Sequence, residues 1–311
     1  MPPAPTRHSA PSRSPFALDD SRAYDAWRAE KLESVQLLAA SPRIIEVDAD
    51  PSADRAALAN LRDEVARHNV AVYRSRHTPD DPIAFVRTLG SALGLKRIDG
   101  NLCADEASGV SVLEVAGAGR ATGYIPYTNR PLSWHTDGYY NDADHQVRGW
   151  ILHCVRPAQT GGENALLDHE LAYIALRDAD PRYIEALSHP EAMAIPPNEE
   201  NGTEIRGWTI GPVFSTDATG HLHMRYSARG RNIRWRDHSA TRDARALLDE
   251  LLGDANPQVR HLRLAPNEGL VSNNVLHNRT GFTDGEQPEQ QRRILRARYF
   301  DRVATAPTTE A

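Results

Sequence analysis

From residue 120 onward the chain is written in short apolar segments separated by Gly, Pro and Asn: "GWILHCV", "NALLD", "GPVFS", "LHMRYS", "GLVSNNVLH" and "RRILRARYF". Segments this short bury their side chains by pairing into sheets, and their regular spacing predicts a β-sandwich or barrel. "GLVSNNVLH" reads as one strand ending at His277. Helical periodicity over 168–187 and 239–255 interrupts the pattern, so helices are expected outside a β-core.

The first third is mixed. Helices are expected over 19–41, 53–70 (Leu58, Leu61 and Val65 on one face) and 80–94, with strands at 43–48, "VAVYRS" and 110–116. "MPPAPTRHSAPSRSPF" has no apolar h-region and reads as a flexible arm covering 1–18, and 304–311 reads as a flexible tail. Residues 19–303 are then one domain of catalytic size. A net charge of −6 argues against a dedicated nucleic-acid binder, and no apolar run is long enough to span a membrane. The two cysteines, Cys103 and Cys154, fit no zinc spacing and read as reduced thiols, which points to the cytoplasm.

"SWHTDGYYN" places His135 and Asp137 two residues apart. On a strand this spacing aims both side chains at one face. His-x-Asp also arises by chance in ordinary polar turns, so a third ligand is required. His277, closing a later apolar strand, is the candidate. Two imidazoles and one carboxylate on one side of a metal leave positions open, an arrangement suited to Fe(II) with a chelating cosubstrate and dioxygen.

"SWHTDGYYN", "LHCVRPAQTGGENALLD", "NNVLHNRTGF" and "RRILRARYFDR" occur in an order that resembles the iron(II)/2-oxoglutarate-dependent dioxygenases of the taurine dioxygenase (TauD/TfdA-like) superfamily. The resemblance spans roughly residues 40 to 303. A tyrosine eight residues before the first ligand, the "LHC…TGG" stretch and a Tyr-x-Asp after the last arginines are most similar to the γ-butyrobetaine and trimethyllysine hydroxylase branch. It implies a mainly β fold with flanking helices, a double-stranded β-helix (jelly roll), with His135, Asp137 and His277 as the iron triad. It also implies hydroxylation of a small polar molecule (quaternary-ammonium, amino-acid-like or other zwitterionic), with 2-oxoglutarate and dioxygen consumed and succinate and carbon dioxide released. Relatives commonly form homo-oligomers. A catalytically silent β-helix that binds or senses a ligand is the alternative.

The distal carboxylate of 2-oxoglutarate needs a guanidinium fork. Alternation along the last strand puts Arg293, Leu295, Ala297 and Tyr299 on one face and Arg292, Ile294, Arg296 and Arg298 on the other. The less charged face is the better inward face, which selects Arg293; the other register selects Arg292 with Arg296. Asn164 matches the family's Thr or Asn that hydrogen-bonds the cosubstrate. Tyr127, Trp134, Tyr226 and Tyr299 are candidates for the substrate wall, where rings hold a trimethylammonium by cation–π attraction. Gly138, in place of an aromatic residue, departs from that branch, as does the missing N-terminal zinc module. His221 and His223 read as surface residues beyond a hairpin turn. Arg225, Arg229 and Arg231 read as a solvated or salt-bridged face, and Asp168 and Glu170 as a helix start.

Overall fold

The computed structural model describes residues 14–38, 43–200, 202–230 and 233–304. Its centre is two sheets laid face to face. The larger has six strands in the order Ile44–Val47, Val70–Ser75, Glu268–Ser272, Gly149–Arg156, Arg293–Tyr299 and Ser111–Leu113. The smaller has four, in the order Arg260–Leu262, Asn164–Leu167, Leu276–Arg279 and Leu132–His135. All neighbours are antiparallel except the first pair, which runs parallel across the helix Arg55–His68. This is the jelly-roll arrangement, without a closed barrel.

Both sheets are covered on both faces. Trp150, Leu152, Cys154, Leu166, Leu270 and Ile294 fill the space between them. The alternate residues Ala71, Tyr73, Ile151, Leu295 and Ala297 face outward and are buried under helices Arg55–His68 and Pro82–Ala92. Ala165, Leu167 and Leu276 do the same on the smaller sheet, beneath helices that include His169–Ala179 and Ser239–Leu251. Burial on two faces is why the central strands read as unbroken apolar runs.

Caps set the helix ends. Asp54 accepts from the Ala57 amide, and Asn69 closes that helix in the left-handed conformation at φ 55°. Asp81 accepts from Ile83 and Ala84 with Pro82 just inside the helix.

Four expectations need correction. The helix expected over 168–187 is two helices, His169–Ala179 and Pro181–Leu187, because Asp180 turns extended to cap the second and Pro181 has no amide for the first. "GLVSNNVLH" is two strands in different sheets, broken where Asn274 adopts φ 61°. Residues 15–17 of the expected arm are packed: Phe16 stands edge-on to Trp27 and Tyr173, and Arg177 donates to the carbonyls of Pro15 and Ala17. Residues 1–13 of the arm and residues 305–311 of the tail lie outside the described residues. His223 is buried rather than at the surface, where burial pushes its imidazole down to about 3, while His221 stays part-exposed. No helix among the described residues is long and apolar enough to cross a membrane.

Candidate active site

The edge strand Leu132–His135 places His135 directly opposite His277 in the neighbouring strand, with ring centroids 4.2 Å apart. Asp137 follows at the end of the strand, and ligand atoms of the three buried residues lie within 4.8 Å of one another. His135 turns Nδ1 to the Ser133 carbonyl and His277 turns Nδ1 to the Val275 carbonyl, each at 2.9 Å. A carbonyl only accepts, so each Nδ1 carries the proton and each Nε2 keeps a free lone pair.

Burial, reinforced by the neighbouring His135, pushes the His277 imidazole down to about 3 and keeps it neutral. Burial alone would raise the Asp137 carboxyl. Arg296, His135 and Arg298 outweigh it and hold the carboxyl well below the usual range. Oδ1 of Asp137 faces Arg296 at 3.1 Å, whereas Oδ2 is buried with no hydrogen-bond partner. Two free imidazole lone pairs beside an orphaned carboxylate oxygen are a donor set for a divalent cation such as Fe(II).

Two residues fix the turn that carries Asp137. Asn274 accepts from the Asp137 amide at 2.8 Å and donates to the Asp137 and Val147 carbonyls at 2.9 and 2.6 Å. Gly138 lies at φ 66°, and a side chain there would strike Val147. The departure from an aromatic residue at 138 therefore has a backbone cause.

The arginines fall on the two faces of the last strand as alternation requires, but the charged face is the inner one. Leu295, Ala297 and Tyr299 back onto helices, whereas Arg296 and Arg298 face the triad. Arg293, selected from sequence, has a side chain 42% exposed beside Glu114, beyond a register shift in the strand. Arg292 is buried instead, with Nη1 unpartnered and its guanidinium 5.1 Å from the Phe282 ring. Burial pushes it down to about 10. Arg279 stacks on the same ring at 4.8 Å, and burial pushes it down to about 9. Asn164 is buried on the adjacent strand, paired with Arg279.

Of the four aromatic candidates, Tyr127 is the one that shares the neighbourhood of Arg296. Its hydroxyl donates to the Cys103 carbonyl at 3.2 Å, and the positive charge of Arg296 acts on it. Trp134 alternates with His135 and packs toward the helical layer. Tyr226 is core, 6.2 Å from Trp235. Tyr299 is core on the far side of the larger sheet, its ring fitted against Gly90. Tyr226 and Tyr299 are thus occupied in packing. Arg225 is neither solvated nor salt-bridged as expected: it is buried, and backbone carbonyls, among them Pro212, Met193 and Gly211, take its donors. Arg231 lies outside the described residues.

Other groups surround the site, of which Glu200 and Asp99 belong to no motif. Tyr139 stands edge-on to His135 at 6.4 Å and accepts from Arg229. Glu200, on the paired strands Asn198–Glu200 and Thr203–Arg206, binds Arg120 at 3.0 Å and Tyr124 at 2.7 Å. Asp99, Arg298 and Tyr140 form a buried group behind Asp137.

Residues 31–298 match the family described as taurine catabolism dioxygenase TauD, TfdA family. The chain belongs to this family. The family is one of dioxygenases, and this chain carries the complete His135–Asp137–His277 donor set, which favours the catalytic reading over the silent one. It is similar to a uridine-5′-phosphate dioxygenase from an Amycolatopsis species, 35% identical over 178 residues, covering 54% of this chain and 60% of that protein. A second uridine-5′-phosphate dioxygenase, from a Streptomyces species, is 30% identical over 177 residues, with coverages of 55% and 62%. The alignments thus span about three-fifths of these relatives' length. Neither relative is named as a γ-butyrobetaine or trimethyllysine hydroxylase.

Among solved structures, the non-heme iron oxygenase OrfP in complex with Fe, succinate and (3R,4R)-dihydroxy-L-Arg superposes with a TM-score of 0.58 at 18% identity, covering 90% of this chain and 92% of that one. Asparagine oxygenase with Fe(II), 2S,3S-3-hydroxyasparagine and succinate gives 0.56 at 17%, covering 87% and 90%. A taurine dioxygenase from Burkholderia xenovorans gives 0.54 at 17%, covering 83% and 86%. These likenesses establish the shared fold.

Proposed function

We propose that this enzyme oxidises a C–H bond of a small anionic molecule, a nucleoside monophosphate of the uridine 5′-phosphate kind, consuming 2-oxoglutarate and dioxygen and releasing succinate and carbon dioxide. Arg296 carries this reading. It is a buried guanidinium at the metal carboxylate, its only hydrogen bond among the described residues goes to Asp137, and its Nε is unpartnered. Such a group binds an anion within reach of the triad. A trimethylammonium would meet the positive charge of Arg296, so a quaternary-ammonium substrate is disfavoured. The names of the two curated relatives point the same way.

His135, Asp137 and His277 would hold the metal. Bound ferrous iron supplies dioxygen activation coupled to the oxidative decarboxylation of 2-oxoglutarate. Arg292 offers the fork for the distal carboxylate of 2-oxoglutarate, with Arg279 adding a second positive charge and Asn164 an amide. Tyr127 and Tyr124, packed against the core between the sheets, would help to keep water from the reacting groups.

The test is succinate release with ferrous iron under air, comparing uridine 5′-phosphate, uridine and γ-butyrobetaine as stimulants. Uridine 5′-phosphate should raise the rate well above uridine, and His135→Ala should release none. Stimulation by the betaine and not by the nucleotide would overturn the substrate class.

A further inference from the structure

Two buried guanidiniums converge on one ligand carboxylate, which is an unfavourable design for a metal site. A carboxylate doubly paired with arginine has little charge left to attract a cation. Arg296 is in contact with Asp137 at 3.1 Å, but Arg298 Nη1 stops at 3.9 Å from the same oxygen. Arg298 is held back by other partners. That Nη1 donates to the Tyr140 hydroxyl at 2.8 Å, and Nη2 meets Asp99 Oδ2 at 2.5 Å. The ion pair is buried, Arg298 being 2% exposed and Asp99 9%, while Tyr140 is half-buried. The Asp99 amide also donates to the Arg298 carbonyl at 2.8 Å, so backbone and side chain are tied together.

We infer that Asp99 is a positioning residue for the metal site: it neutralises Arg298 and restrains it from closing on Asp137, which keeps the Asp137 carboxylate available as a ligand. Tyr140 shares the task by occupying the nitrogen nearest Asp137. The charges then divide as Arg298 with Asp99 and Arg296 with Asp137. Arg296 is the exchangeable partner, because it lacks any second acceptor among the described residues. When a cation takes up the carboxylate, Arg296 is free to turn toward a bound anion, whereas Arg298 stays fixed. This inference rests on the reading of His135, Asp137 and His277 as the metal ligands, but not on the identity of the substrate.

The experiment measures manganese(II) binding to the full apo-protein by calorimetry, without 2-oxoglutarate or substrate. Asp99→Asn removes a negative charge and releases Arg298, and both effects weaken cation binding. The expected result is a dissociation constant raised about tenfold, as for the loss of one charge-assisted contact. Arg298→Gln in the Asp99→Asn background should restore affinity to within about threefold of wild type, since the released guanidinium is then gone. A purely structural role for Asp99 would leave the double variant as weak as the single one or weaker. Wild-type affinity in Asp99→Asn, or no recovery in the double variant, overturns the inference. Should Asp99→Asn not fold, Tyr140→Phe, which removes only the hydroxyl, must weaken manganese binding measurably or the inference fails. Failure of His135→Ala to lose manganese binding would instead indict the metal assignment itself.

Discussion

Two of the buried clusters of charge among the described residues are built differently. In the first, Lys31 lies 2.6 Å from Asp168 and 2.5 Å from Glu170, donates to the Arg67 carbonyl, and joins the N-terminal helix Ser21–Leu38 to the start of helix His169–Ala179. Burial would lower the Lys31 ammonium, but the two carboxylates outweigh it and raise it. In the second, Asp137 Oδ2 and Arg296 Nε have neither a hydrogen-bond nor an ion-pair partner among the described residues, and Arg292 Nη1 is likewise unpartnered. Structural charge completes itself within the protein. Charge meant for ligands is left incomplete, and burial then makes the missing partners valuable.

The largest effect that would sharpen this contrast is expected at Lys31. Lys31→Met leaves two buried carboxylates uncompensated and should destabilise the fold by about 3–5 kcal/mol in urea denaturation. A loss below 1 kcal/mol would mean that the first cluster is not structural.

Next comes the incomplete cluster. Arg292→Ala should raise the 2-oxoglutarate dissociation constant about a hundredfold, as when a buried charge pair loses one member. Arg293→Ala, at an exposed position, should change it less than about threefold. The opposite ranking would return the cosubstrate to the outer face of the strand.

The smallest effect concerns pH. His223 and His277 are both pushed down to about 3 by burial, so the unfolded chain takes up their protons first. Their contribution to stability is complete above the ordinary histidine pKa and is lost as pH falls from there toward about 3. Each should subtract about 2 kcal/mol between pH 7 and pH 5. His223→Gln should flatten its share of the slope; an unchanged slope in that variant would refute the linkage.

What could be read from sequence follows the range of the interaction. His135 and Asp137 are visible because strand period alone places them on one face. Alternation in the last strand was equally legible, but which face turned inward was not. The rule that charge faces water fails where the interior is a binding site, so Arg293 looked better than Arg292. Tyr226 and Tyr299 carry motif-like positions yet are packed as core. Asp99 and Asn274 left no local trace as site residues, because Arg298 and Asp137 reach them only across 199 and 137 residues of chain. The Asn273–Asn274 pair inside an apolar run was, even so, a breaker signal that could have divided that strand.

Gly138 has a consequence for how this enzyme could acquire new substrates. Its left-handed backbone and its contact with Val147 close position 138 to any side chain. Variation at the position that follows Asp137 is thus closed to selection and to the engineer. A changed appetite must be written in the rim, in residues 120–127 and in the paired strands that carry Glu200, where no such constraint binds the chain.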